Sequence, residues 1–320
     1  MSESLGRAAP SIVAPTVVPI RPVPLPDWPQ GWYVVGRSRS LRRGQVQSVT
    51  LALRELVVFR TDSGALGALD ARCPHMGANL VHAKVRGEHL ECGMHCWRMA
   101  VDGAVAGRKR RAQAWTVREY AGLVMLEFGG ERAMPKVGEA DFLWTDLAPI
   151  DIGAHWHSLT ANAFDMPHLS TVHRRELAEP PQVAFEAGHH FEMYYVTRVS
   201  GRGASDRVMK WLSGNRIRAR MRCHGPLVVV ETDLGFTRTA AMIGMLPTEQ
   251  GTRLFGAFGI RPGPFGALRL WLTRWLFAAF LKRDLGLVEG MQLRTDVDDT
   301  ILQKFFDYLR TLRGHAPPLP

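Results

Sequence analysis

Two short stretches that share one pattern constrain this chain most. Cys73-Pro-His75-Met-Gly-Ala-Asn-Leu80 and Cys92-Gly-Met-His95-Cys-Trp97 each offer one thiol and one imidazole, with sixteen residues between His75 and Cys92. Four such donors meet only if both stretches fold as loops that face one another. A single zinc ion takes two thiolates and two imidazoles tetrahedrally. A two-iron, two-sulfide cluster takes the thiolates on one iron and the imidazoles on the other. Ligand types alone leave both open. A disulfide scaffold is excluded by number, because 320 residues carry four Cys, at 73, 92, 96 and 223.

The flanks supply support for such loops. QSVTLALR, ELVVFRT, GALGALDA, EHLEC and WTVREYAGLVMLEF read as short strands punctuated by Gly and Asp-Gly. Residues 32–128 are thus expected to form a small antiparallel β domain. Repeated Pro over 1–28 predicts an extended tail, and a soft boundary is expected at 129–141. Downstream, 183–200, 215–222, 226–243 and 252–261 read as longer strands. Helices are expected at 265–283 and 299–313. The second sets Ile301, Leu302, Phe305, Phe306, Leu309 and Leu312 on one face behind an Asp298 or Asp299 N-cap. Strands followed by long helices indicate an α+β arrangement.

A second donor pattern lies between the two halves: Asn162-x-x-Asp165-x-x-His168-x-x-x-x-His173. Residues five apart point about 140° from one another on an ideal helix, so a regular helix does not aim both imidazoles at one ion. Pro167 disfavours helical geometry at Met166, and a break there brings the two rings together. By contrast, His155, His157, His189 and His190 match no ligand spacing.

Pro74, Gly77 and Leu80 after Cys73, with Trp97 after His95, resemble the C-P-H-x-G-x-x-L and C-x-x-H-x-W pattern of a Rieske centre. The second pattern is similar to the N-x-x-D-x-x-H-x-x-x-x-H signature of the Rieske non-haem iron oxygenases, catalytic (alpha) subunits. Both motifs stand in the expected order, roughly 90 residues apart, and the resemblance covers about 30–312. It implies an α+β chain: an N-terminal antiparallel β Rieske [2Fe-2S] domain at 29–135, then a helix-grip (START/Bet v1-like) catalytic domain at 140–315. It implies a cluster on Cys73, His75, Cys92 and His95. It also implies a mononuclear Fe(II) on His168, His173 and a later carboxylate, with O2 as co-substrate. In KRDLGLVEGMQ that carboxylate is expected to be Asp284, with Glu289 as the fallback. Two positions depart from the pattern. Arg283 replaces the usual acidic neighbour, and Cys96 stands where Gly is usual, read here as a small buried replacement.

The family implies a homotrimer in which the cluster of one subunit meets the iron of the next. Asp165 would bridge His168 to a cluster His across that contact, and Asn162 would support the iron. A ferredoxin or flavin reductase would supply electrons. The length suits the single-subunit monooxygenase and demethylase groups, acting on a hydrophobic small molecule with a polycyclic, sterol-like or natural-product scaffold. Two rivals are an electron carrier without oxygen chemistry and a zinc-stabilised ligand-binding module.

Forty Lys and Arg against 30 Asp and Glu give a net charge of +10. Such a charge invites an acidic partner, and Arg108, Lys109, Arg110 and Arg111 form the densest run, a candidate docking patch for an electron donor. No aromatic interleaving or motif supports nucleic acid. The longest charge-free apolar run near the C-terminus, Trp275 to Leu281, falls short of a membrane span. The basic and aromatic stretch 267–283 is read as a buried core helix with snorkelling Arg rather than a membrane contact. With no secretory leader pattern in the first 30 residues, the cytoplasm is expected. Met193, Trp211, Met221, Cys223, Phe236 and Met242 are expected on or near sheet strands, some lining a cavity.

Overall fold

A computed structural model describes residues 25–130, 132–138 and 141–314. The expected tail lies outside the described residues up to 24, as do 131 and 139–140 in the boundary region.

The N-terminal part contains β1 (Gly31–Arg37), β2 (Val46–Leu51), β3 (Arg54–Arg60), β4 (Leu66–Asp70), β5 (Lys84–Arg86), β6 (His89–Glu91), β7 (Arg98–Met99), β8 (Val117–Tyr120) and β9 (Leu123–Phe128). They pair antiparallel in three small sheets, β1-β9-β8, β2-β3-β4 and β5-β6-β7. Strand β3 shows how sequence builds this unit. Successive side chains leave a strand on opposite faces. Leu56 and Val58 join the core under β1 and β9, while Val57 and Phe59 join a second core with Leu69, Leu80, Leu90 and Met99. That second core also holds Cys73 and Cys92, so both cysteine loops stand on one packed floor.

The C-terminal part contains β10 (Leu143–Asp146), β11 (Ile150–Ile152), β12 (Arg175–Leu177), β13 (Gln182–Glu186), β14 (His190–Val199), β15 (Ile217–Cys223), β16 (Leu227–Asp233), β17 (Arg238–Thr248) and β18 (Gly251–Ile260) in one antiparallel sheet. With it are α1 (Trp156–Phe164), α2 (Met166–Thr171), α3 (Ala204–Leu212), α4 (Gly266–Val288) and α5 (Thr300–Thr311). The predicted N-cap of α5 is Asp299, whose carboxylate accepts from the N–H groups of Ile301 and Leu302 at 2.9 and 2.8 Å. Its apolar face packs Phe305 on Phe164 of α1, ring centroids 4.8 Å apart, and on Phe191 of β14.

Four expectations change. The run 183–200 is the hairpin β13–β14, and 226–243 is the hairpin β16–β17. The second turns at Gly235, whose positive φ suits glycine and whose N–H donates to Asp233. Each turn is short and closely flanked by apolar strand residues, so the two strands of each hairpin read as one run. Helix α3 was not anticipated, being short and followed by strand-like sequence. Helix α4 extends five residues past the predicted end, and much of its length is exposed rather than core.

The two parts share a core. Trp32, Tyr33, Val34 and Val35 of β1 bury with Leu227, Val229, Met242 and Phe255 of the large sheet. Gly244 of β17 lies directly against Val34, where any Cβ would collide.

Candidate functional site

The two cysteine loops are near copies. The N–H of Gly77 donates to the Cys73 carbonyl at 2.9 Å, and that of Cys96 donates to the Cys92 carbonyl at 3.0 Å. Both fourth residues have left-handed backbone, φ +78° at Gly77 and +52° at Cys96. This geometry explains why glycine suits position 96, and it corrects the reading of Cys96 as buried: its side chain is exposed. Cys73 and Cys92 are buried, while His95 is exposed and His75 partly so. The two imidazoles approach with Nδ1 atoms 3.2 Å apart. Burial, with Cys92 alongside, pushes the Cys73 thiol up despite nearby backbone N–H groups. Partial desolvation, then His95, Arg108 and Arg110, holds His75 below its ordinary value and therefore neutral, the form a metal needs. Two thiols beneath and two outward imidazoles above suit a two-iron cluster better than one tetrahedral ion.

Two of the four residues of the predicted basic patch, Arg108 and Arg110, support these loops. His75 stacks on Trp97 at 4.3 Å, and the Arg108 guanidinium also lies 4.3 Å from that ring. Arg110 donates to the carbonyls of Pro74 and His75 at 2.9 and 3.1 Å. Arg111 pairs with Asp102 at 2.9 Å.

The second site forms where two helices break. Asp165 has extended backbone and separates α1 from α2, with Pro167 in the first turn of α2. Asp165 caps α2 by accepting from the backbone N–H of His168 at 3.3 Å. The break turns His168 toward His173, which lies just past the end of α2. Their Nε2 atoms are 3.1 Å apart, and Asp284 Oδ1 of α4 lies 2.8 Å from the first and 3.0 Å from the second. An octahedral face with bonds of about 2.1 Å has edges of about 3.0 Å, shorter than tetrahedral edges of about 3.4 Å. The three atoms therefore fit one octahedral cation. Burial opposes ionisation of Asp284, but hydrogen bonds to His168 and His173 outweigh it and keep the carboxyl below its ordinary value. One helical turn earlier, Phe280 stacks on His173 at 3.7 Å. The fallback, Glu289, instead accepts from Gly153 N–H at 3.1 Å.

This triad borders a cavity of about 550 Å³. Its lining is mostly aliphatic, including Leu159, Met221, Val230, Met242 and Leu285, and Asn162 lines it as well. Of the six residues expected near such a cavity, Met221 and Met242 line it. Trp211 instead projects into solvent from α3.

Residues 31–121 match the family model for the Rieske [2Fe-2S] domain. The chain is 32% identical over 187 residues to the oxygenase component of 3-ketosteroid-9-alpha-monooxygenase from Rhodococcus rhodochrous, covering 52% of this chain and 49% of that protein. It is 31% identical over 167 residues to cholesterol 7-desaturase of Bombyx mori, covering 48% and 37%. The chain thus spans a third to a half of the length of these curated relatives. Residues 31–121 therefore form a Rieske [2Fe-2S] domain, and the chain is similar to named Rieske-type oxygenases over about half its length. Solved structures share the fold: the NdmA QL mutant of Pseudomonas putida CBB5, solved with caffeine, superposes with TM-score 0.66 at 18% identity, covering 88% of this chain and 89% of that one. Dicamba monooxygenase gives 0.64 at 16%, covering 88% and 96%.

Sequence reasoning missed one buried residue beside the triad, Asp206. It is almost fully buried and accepts from Arg175 at 3.1 Å and from Arg283 at 3.1 and 3.2 Å. Burial opposes its charge, but the two guanidiniums win and hold the carboxyl below its ordinary range. Arg283 also donates to the His173 carbonyl at 2.8 Å. The departure at 283 therefore has a structural role: its guanidinium ties the loop of one ligand candidate to α3. The only signal in the sequence was the departure itself. Another His–Asp grouping, Asp27 with His155 and His157, ties the N-terminal segment to the start of α1. There His157 Nε2 faces the Pro26 carbonyl at 3.2 Å and Trp156 donates to the Asp27 carbonyl at 2.9 Å.

Proposed function

We propose that this chain is the terminal oxygenase of a Rieske non-haem iron system that hydroxylates, demethylates or desaturates a hydrophobic small molecule. The observation that carries this reading is the open face of the His168–His173–Asp284 triad against an aliphatic cavity, in a chain that also carries a Rieske domain. An electron carrier needs neither triad nor cavity. The names of the relatives, which act on a ketosteroid and on cholesterol, favour a sterol-like or other polycyclic substrate. We assign 29–135 to the Rieske domain and 140–315 to the catalytic domain.

Each group has a defined part. Cys73, Cys92, His75 and His95 would hold the [2Fe–2S] cluster, and His168, His173 and Asp284 the mononuclear Fe(II). When bound, these groups supply one-electron transfer and the activation of O2. Arg110 and Trp97 fix the loop that carries His75. Phe280 and Arg283 hold His173 in place by its ring and its carbonyl. The aliphatic walls desolvate the substrate and orient its reacting carbon toward the triad, while Asn162 offers a polar contact at that end. Asp165, at the break between α1 and α2, is assigned the bridge from His168 to a cluster histidine of a neighbouring subunit in a homotrimer. A ferredoxin or flavin reductase would deliver the electrons, docking near Arg108 and Lys109, and the cytoplasm is the assigned compartment.

Metal analysis tests the reading. The loaded protein is expected to contain about three iron atoms per chain, two of them with acid-labile sulfide. His168→Ala is expected to retain the cluster pair and lose the third iron. Zinc in a colourless protein would sink the proposal. Asp165→Asn should keep all the iron but block turnover with labelled O2, so an active variant would remove the bridge.

A further inference from the structure

We infer that the exposed face of α4, with α3 beside it, is a docking surface for an anionic lipid bilayer. The helix shows solvent a row of large apolar side chains: Leu268 (61% exposed), Trp271 (65%) and Trp275 (42%), at helical spacing on the side opposite buried Thr273 and Leu276. Phe265 precedes them and is 81% exposed. Helix α3 packs beside α4 through Val208, Leu212, Leu272 and Leu276, and it adds Trp211, also 81% exposed. Water-facing tryptophans in this number are costly unless something covers them.

Charge identifies the cover. The exposed positions of the two helices include Arg207, Lys210, Arg274 and Lys282 and no carboxylate. None of these four cations has an acidic partner among the described residues. Tryptophan beside Lys and Arg is the composition that seats a helix at the headgroup level of a bilayer. A second copy of this face, paired about a two-fold axis, would instead bring these cations against their own counterparts. No helix among the described residues is long and apolar enough to cross a membrane, so the contact is peripheral.

The cavity lies on the same side. Arg274, Ala278 and Lys282 are exposed on α4 and line the cavity together with exposed Ala148 and Ile150, so its mouth opens beside the tryptophan row. Docking therefore brings the mouth to the lipid surface, from which an apolar molecule enters without crossing water. That last step rests on the oxygenase reading; the docking does not.

Vesicle flotation tests the docking, using the iron-loaded full chain with phosphatidylcholine vesicles, with and without phosphatidylglycerol. Binding should appear with phosphatidylglycerol, weaken with salt, and fall by about fivefold for each cation removed. Trp271→Ser with Trp275→Ser should lower the partition more than about tenfold. Arg207→Glu with Lys210→Glu should do the same while leaving iron content and turnover in detergent unchanged. Absence of wild-type binding at low salt overturns the inference, as does binding unaffected by either pair. A loss of oligomer mass in the Trp271/Trp275 variant would reassign the face to contact between copies and overturn it as well. Because flotation needs no turnover, its failure leaves the oxygenase reading intact, and failure of that reading leaves flotation unchanged.

Discussion

At the residue scale, Gly77 and Cys96 occupy one place in two similar loops, but only one is free of strain. A non-glycine residue in the left-handed region costs about 1 kcal/mol. Cys96→Gly is therefore expected to raise stability by up to about 1 kcal/mol, read from the urea midpoint followed by cluster absorbance. Asp206 is the opposite case. Two arginines depend on one buried carboxylate, and removing one partner of a buried charged network costs about 3–5 kcal/mol. Asp206→Asn should lower stability by that order and should also loosen iron at the triad, since Arg283 then loses its anchor. The pH dependence has a definite sign. The carboxyl is held below its ordinary value in the fold, so its contribution is complete above the ordinary carboxylate range and is lost as pH falls through the depressed value. His224 adds to the same acid limb by another route. Burial, then His190, Arg222 and Arg132, lowers its pKa to about 3, and its buried Nε2 has no hydrogen-bond partner. The unfolded chain binds a proton there below about pH 6.5 and the folded chain does not, so stability falls as pH drops from about 6.5 toward 3. His224→Phe should flatten that slope in urea titrations between about pH 7 and pH 5, and an unchanged slope would clear His224 of the role.

At the element scale, what was legible in the sequence follows from local chemistry. Fixed ligand spacing marked the two cysteine loops, and the Pro167 break marked the turn that brings His168 and His173 together. The apolar face and N-cap of α5 were equally local. Features that depend on distant partners were not legible. Asp206 looks like any helical acid until Arg175 and Arg283 are folded against it. The extent of α4 was read well at its start, yet its burial was not. Periodicity reports which residues are apolar, not whether a neighbour exists to cover them. Helix α5 shows how packing reaches the site, because Phe305 supports Phe164 at the end of α1, next to Asp165. Phe305→Ala should cost about 3–5 kcal/mol. Part of that loss should appear as lower iron occupancy at the triad before the chain unfolds, measured by metal content along a urea series.

At the scale of the whole molecule, the decisive feature is the seam between the Rieske part and the large sheet. Small interfaces between domains leave each free to unfold alone, whereas a shared apolar core couples them. Here β1 contributes Trp32 to Val35 to the same buried cluster as Val229, Met242 and Phe255. The cluster loops rest on the other face of β3, whose near side belongs to that core. Disturbing the seam should therefore be felt at the cysteines. Gly244 is the place to try it, because a side chain there must displace Val34. Overpacking of this kind costs about 1–3 kcal/mol. Gly244→Val is expected to shift the loss of cluster absorbance and the loss of far-ultraviolet ellipticity together, by the same urea increment. If the two parts were independent, the ellipticity curve would split and the cluster transition would stay where it is in the wild type. A coincident shift would mean that the cysteine loops are held by the large C-terminal sheet as well as by their own packing.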